Sequence, residues 1–201
     1  MAAAYLALTA SAACAGRPAP AISPATRVAV DRAERSERAR RYDQARAWYE
    51  RAERDAPDAR SRAWAARQYA DALAFWGEYR DAERALERVV RWAPGDASAW
   101  HDLGILRARR GDVAGAEMAL RRAKAAAPHD PRPRVALAAL WVNARRFDAA
   151  LAEYRALLAL DLPPRLRAAV RRAIALVSAE TRRAPSAAPA GSAARPPGRS
   201  P

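Results

Sequence analysis

The stretch AWHDLGILRARRGDVAGAEMALRRAKAAAPHD, Ala99 to Asp130, decides the fold, because its spacing returns elsewhere in the chain. Gly111, Ala116, Leu120 and Pro128 each have a counterpart 34 residues earlier, at Gly77, Ala82, Leu86 and Pro94. The same step forward takes Leu103 to Leu137, Val113 to Phe147, Ala116 to Ala150 and Leu120 to Tyr154. Before Gly77 the pattern continues across a three-residue insertion, with Tyr42, Ala45, Tyr49 and Pro57 standing where Tyr79, Ala82, Leu86 and Pro94 stand later. Self-similarity at such a period marks an array of stacked supersecondary units, each too small to bury its own apolar face.

The residue types within one period are compatible with helices separated by turns. Glycines at 77 and 111 supply the positive φ that ends a first helix and turns the chain. Prolines at 57, 94 and 128 stop the second, since their ring removes a donor and blocks the preceding turn. Asp96 and Asp130 stand where a carboxylate caps the next helix, the latter followed by Pro131 in the first helical turn. Gly104 and its equivalents Ala33, Ala70 and Ala138 are small, as are Ala45, Ala82, Ala116 and Ala150 on the second helices. Two helices can therefore approach closely at those points.

The pattern resembles the tetratricopeptide repeat. Trp100, Leu103, Gly104, Gly111, Ala116, Leu120, Ala123 and Pro128 fall on that family's signature positions, while Arg107 and Val113 depart from its usual aromatics. The resemblance implies an all-α fold, a right-handed α-α solenoid of about four helix-turn-helix repeats. The repeats are expected at 26–59, 63–96, 97–130 and 131–164, with a capping helix at 165–180 whose Leu166, Val170, Ile174 and Val177 form an apolar stripe. The first helix places Arg32 and Ser36 where a core wants apolar groups, which predicts a polar cap or a partly ordered segment.

The flanks differ in composition. Residues 1–25 read as a leader and Pro-rich linker: an apolar run too short for a membrane anchor, small residues at Ser11, Ala12 and Ala13, and the only cysteine at Cys14. Ala13-Cys14-Ala15 resembles a bacterial lipoprotein cleavage site, which implies export to the periplasm or attachment to the outer membrane with Cys14 lipidated. Residues 182–201 are rich in Pro, Ala and Arg with little to bury, and are expected to be disordered. The net charge is +14, and all acids lie between Asp31 and Glu180.

No converging catalytic set is visible, and no cofactor or metal is expected. The two histidines, His101 and His129, have no metal-ligand spacing, and His101-Asp102 are neighbours whose side chains should diverge by about 100° on a helix. Binding is the activity that a helical array offers. In the family resembled, the second, fifth, sixth, ninth, twelfth and thirteenth positions of each repeat line a groove. Here these include Trp64, Arg67, Gln68, Asp71 and Phe75 in the second repeat, His101, Asp102, Ile105 and Arg109 in the third, and Arg132 and Asn143 in the fourth. Trp64, Phe75 and Ile105 are the expected anchors, and Arg67, Arg109 and Arg132 the expected charge partners. Trp48, Trp76, Trp92, Trp100 and Trp141 are expected to fill spaces between helices. The carboxylate clamp of some chaperone adaptors is not supported, because Asp71 and Asp102 stand where it has asparagines and Ala136 where it has a base. The expected role is a non-catalytic scaffold for a partner protein or peptide, with a cytoplasmic binder of nucleic acid or another anionic surface as the alternative.

Overall fold

The computed structural model describes residues 21–183, which are helical throughout apart from their connections, with no strand among them. They fall into two compact units, one ending at Ala126 and the other beginning at Ala127. The first unit holds α1 (Pro24–Arg38), α2 (Tyr42–Arg54), α3 (Ala59–Phe75), α4 (Tyr79–Trp92), α5 (Ala97–Arg109) and α6 (Val113–Ala126). The second holds α7 (Pro131–Asn143), α8 (Phe147–Leu158) and α9 (Pro164–Arg183).

In the first unit, consecutive helices pair as hairpins, α1 with α2, α3 with α4 and α5 with α6. The hairpins stack through α2 on α3 and α4 on α5, and α1 also touches α3. Tyr49, Leu73, Leu86, Val89 and Leu103 are buried in one continuous core. The close approach expected at Gly104 is present: a Cβ there would stand 2.6 Å from Leu120 Cγ, nearer than any real contact. Ala33 and Ala70 are buried at the equivalent points. In the second unit, Ala138 is buried on α7, and α9 packs on α8 around Leu157, Leu162 and Val170.

The turns show a regularity that composition hid. Gly77 and Gly111 have φ of 83° and 84°, as expected, but Arg40 and Arg145 occupy the same left-handed position in the first and fourth hairpins, at 58° and 55°. A Cβ makes that conformation costly, so the first and last hairpins carry strain that the middle two avoid.

Helix starts follow capping chemistry. The Asp96 carboxylate accepts from Ala99 N at 2.9 Å and the Asp130 carboxylate from Arg132 N at 2.9 Å. Asp58 and Asp112 do the same for Ser61 N and Gly115 N. Each such cap contributes about 1 kcal/mol. Asp58 corrects one boundary: α3 begins at Ala59 rather than Ala63, because the three-residue insertion is wound into an extra helical turn. Ser61, buried in that turn, donates to Asp58 Oδ2 at 3.0 Å and accepts from Ser23 N at 3.1 Å. The first helix is fully formed. Ser36 is buried and satisfies itself by donating to the Arg32 carbonyl at 2.9 Å. At the other end α9 runs on to Arg183, so Arg182 and Arg183 are helical rather than part of a disordered tail. Cys14 and the rest of the leader lie outside the described residues, as does the tail beyond Arg183.

Candidate functional site

The side chains expected to line a groove in the first unit come from α3 and α5, and the structure gives them unequal roles. Phe75, the last residue of α3, is 83% exposed. Trp64 is half-buried against the core, and Ile105 is half-buried on α5. Arg67 is engaged on both sides: it pairs with Asp71 one turn along α3, at 3.3 Å, and with Asp102 across on α5. These are the two aspartates that stand in place of the clamp asparagines, so the guanidinium is neutralised where a clamp would need a free cation. Arg109 is exposed and lies over the Tyr79 ring at 5.0 Å. In the second unit, Arg132 is held by Asp130, with Nη2 at 2.7 Å, and Asn143 is exposed at the end of α7.

One expectation about α5 is corrected. His101 and Asp102 do not diverge: Nδ1 of the ring and Oδ1 of the carboxylate are 3.1 Å apart. Nδ1 lies close to the His101 backbone, and Arg67 holds the carboxylate near it, so adjacent residues meet despite the helical turn between them. Burial pushes the Asp102 carboxyl up, but His101 and Arg67 outweigh it and leave the group below its ordinary value. Asp71 moves the other way, raised by burial, with Arg67 only partly opposing and Asp102 and Asp96 adding to the rise. No group of His, Cys, Asp and Glu among the described residues is placed to hold a metal ion.

The structure adds a wall that the sequence reading left out. Glu34 and Glu37 of α1, Tyr42 and Tyr49 of α2, and Gln68, Asp71 and Phe75 of α3 line an open cavity of about 440 Å³. Glu37 is the centre of it. Its carboxylate accepts from Tyr49 Oη at 3.0 Å and from Trp76 Nε1 at 2.9 Å, two neutral donors, and it forms no ion pair among the described residues. Trp76 is fixed in turn by edge contact with the Tyr42 ring, 5.4 Å between centroids, and Tyr49 stacks on Tyr69 at 5.4 Å. Arg38 is the one base on the wall, and it reaches Glu34 only at 3.8 Å. The local field is negative, as the Tyr49 phenol records: burial pushes it well above its ordinary value, and the charges of Glu37, Glu34 and Asp71 push it further. A signal for this wall existed, since the groove positions counted from Thr26 give Glu34, Glu37 and Arg38 as the ninth, twelfth and thirteenth residues of the first repeat. The polar look of α1 concealed it.

Solved structures share this architecture. One is a crystal structure of the protein MamA, with a TM-score of 0.66 and 18% identity over 78% of this chain and 82% of that one. The chain has the tetratricopeptide-repeat fold. A second is the type III secretion chaperone SycD of Yersinia enterocolitica in complex with a peptide of the translocator YopD, with a TM-score of 0.54 and 15% identity over 58% of this chain and 92% of that one. A third is the TPR2B domain of yeast Sti1 in complex with pHsp70, with a TM-score of 0.53 and 16% identity over 59% of this chain and 97% of that one. No protein-family model matches the chain, and no curated protein matches it by sequence.

Proposed function

We propose that the chain is a non-catalytic scaffold that captures a peptide segment of a partner protein against the wall formed by α1 and α3, and that the segment presents a basic side chain. The observation that carries this reading is Glu37: a carboxylate oriented by two neutral donors, with no ion pair among the described residues, lining the same cavity as Phe75, which is 83% exposed. An incoming guanidinium or ammonium completes an ion pair with Glu37, is drawn by Asp71 and Glu34, and stacks on Phe75. A charge-assisted hydrogen bond contributes about 1.5–3 kcal/mol, and a partly desolvated cation–π contact about 1–2 kcal/mol. Exposed aromatics beside fixed charge are the usual anchors of peptide grooves. A structure of the same fold holds a peptide in the SycD complex and another is a complex of Sti1 with pHsp70, which supports a binding role without identifying the partner.

Selection of a displayed library of random peptides on the purified chain tests this. Enrichment of Arg- and Lys-containing sequences, lost on the double variant Glu37→Gln and Phe75→Ala, is the expected result. Enrichment of acidic sequences, or capture that survives the double variant, contradicts it. From the leader sequence we further propose that the chain is exported to the bacterial cell envelope and tethered through Cys14. Mass spectrometry of the mature N-terminus tests that part, with an acylated Cys14 expected and an intact Met1 against it.

A further inference from the structure

We propose that the outer face of α9 docks the chain on an anionic lipid bilayer by electrostatic adsorption. The helix carries six arginines and a single acid, Glu180. Its apolar side, with Val170, Val177, Leu166 and Ile174, is already covered by the core it shares with α8. The outward side is therefore a charged surface. Arg165, Arg172 and Arg183 recur at intervals of seven and eleven residues and so share one line along the helix, with Leu176 on the same line. Arg171 and Arg182 form a second row on the other side of the exposed Ala168 and Ala175. Arg165, Arg171, Arg172 and Arg182 are exposed and have no hydrogen bond or ion pair among the described residues. Over 20 residues the face is about 30 Å long, enough to cover several headgroups at once.

Two features favour lipid over nucleic acid. Leu176 is 69% exposed amid the arginines, and an apolar group there gains by dipping into the headgroup region but gains nothing from a sugar-phosphate backbone. The helix also has no aromatic residue on which a base could stack. No helix among the described residues is long and apolar enough to cross a membrane, so the attachment is to the surface. Each arginine near an anionic surface raises partitioning roughly fivefold, the equivalent of about 1 kcal/mol.

Cosedimentation of the full chain with vesicles tests the proposal, with Cys14→Ser in every sample so that no acyl group contributes. Vesicles containing phosphatidylglycerol should bind the chain, vesicles of phosphatidylcholine alone should not, and binding should weaken steeply with added salt. Replacing Arg165, Arg171, Arg172, Arg182 and Arg183 together by Gln should lower partitioning by about 100-fold or more. The milder pair Arg165→Gln and Arg172→Gln, neither with a hydrogen bond or ion pair among the described residues, should lower it about 25-fold and keeps the test valid if the larger variant loses helix content. Leu176→Ser should cost a further several-fold without changing the salt slope. Equal partitioning of the variants and the parent overturns the proposal, as does equal binding to neutral vesicles. Tighter binding of a duplex oligonucleotide than of anionic vesicles at equal phosphate overturns it too, and assigns the face to nucleic acid.

Discussion

The wall of α1 and α3 and the outer face of α9 put the same abundant residue, arginine, to opposite use. Several arginines of the first unit are matched to acids: Arg46 to Glu78 at 2.7 Å, Arg88 to Glu53 at 2.8 Å, Arg107 to Glu83 at 3.1 Å, and Arg67 to both Asp71 and Asp102. What that matching leaves over at the wall is a carboxylate, Glu37. On α9 the acids run out and the arginines are left over instead. A net charge of +14 therefore describes neither surface. In a chain this rich in arginine, pairing decides what a surface attracts.

The largest expected effect comes from the packing of the first unit, which carries the wall. Gly104→Leu drives a side chain into Leu120 and should cost about 3 kcal/mol of stability, read as a lowered denaturation midpoint, with peptide capture falling alongside it. Leu120→Ala in the same chain should recover part of the loss. A Gly104→Leu chain as stable as the parent would show that the hairpin is not closed at this point.

Next in size is the separation of the two surfaces. Glu37→Gln should weaken an Arg-containing peptide by about tenfold or more, because the substitution removes the charge and sets the amide N–H2 against one of the two donors, Tyr49 or Trp76. Vesicle binding should not change. A loss of vesicle binding as well, in a chain that stays folded, would contradict the separate roles of the two surfaces.

The phenols give a smaller effect with a defined sign. Tyr49 holds its proton above the ordinary value of 10.0 because it is buried and faces Glu37. Above that pH the unfolded chain releases a proton that the folded chain keeps, so this contribution is complete below about pH 10 and is lost as pH rises. Tyr69 and Tyr154 are raised by burial as well and act in the same direction. Denaturant unfolding across the alkaline range should show falling stability, with a shallower fall in Glu37→Gln. The smallest expected effect concerns the turns: Arg40→Gly and Arg145→Gly should each add about 0.5–1 kcal/mol by relieving a positive φ, while Gly77→Ala should remove a similar amount.

The fold was legible because repeat architecture writes itself as spacing. Gly77, Gly111, Ala82, Ala116 and the capping aspartates each answer a local demand that few residue types satisfy. The turns at Arg40 and Arg145 were not legible, since nothing in an arginine announces positive φ; only the register with Gly77 and Gly111 does. The candidate site was legible in part. Phe75, Gln68 and Asp71 fall on groove positions and line the cavity. The state of Arg67 could not be read from its type, because pairing with Asp102 joins residues on two separate helices. Glu37 was hidden for the same reason, its donors lying on α2 and at the end of α3.

A basic side chain received by Glu37 and Phe75 would be felt directly by the Trp76 indole, whose N–H donates to Glu37. Titrating an Arg-containing peptide from the library selection into the isotope-labelled full chain, with the Trp76 indole signal assigned through Trp76→Phe, should move that signal saturably. Glu37→Gln should abolish the shift. A peptide that binds while the Trp76 signal stays still and the Trp64 or Trp100 signal moves would show that it binds away from Glu37.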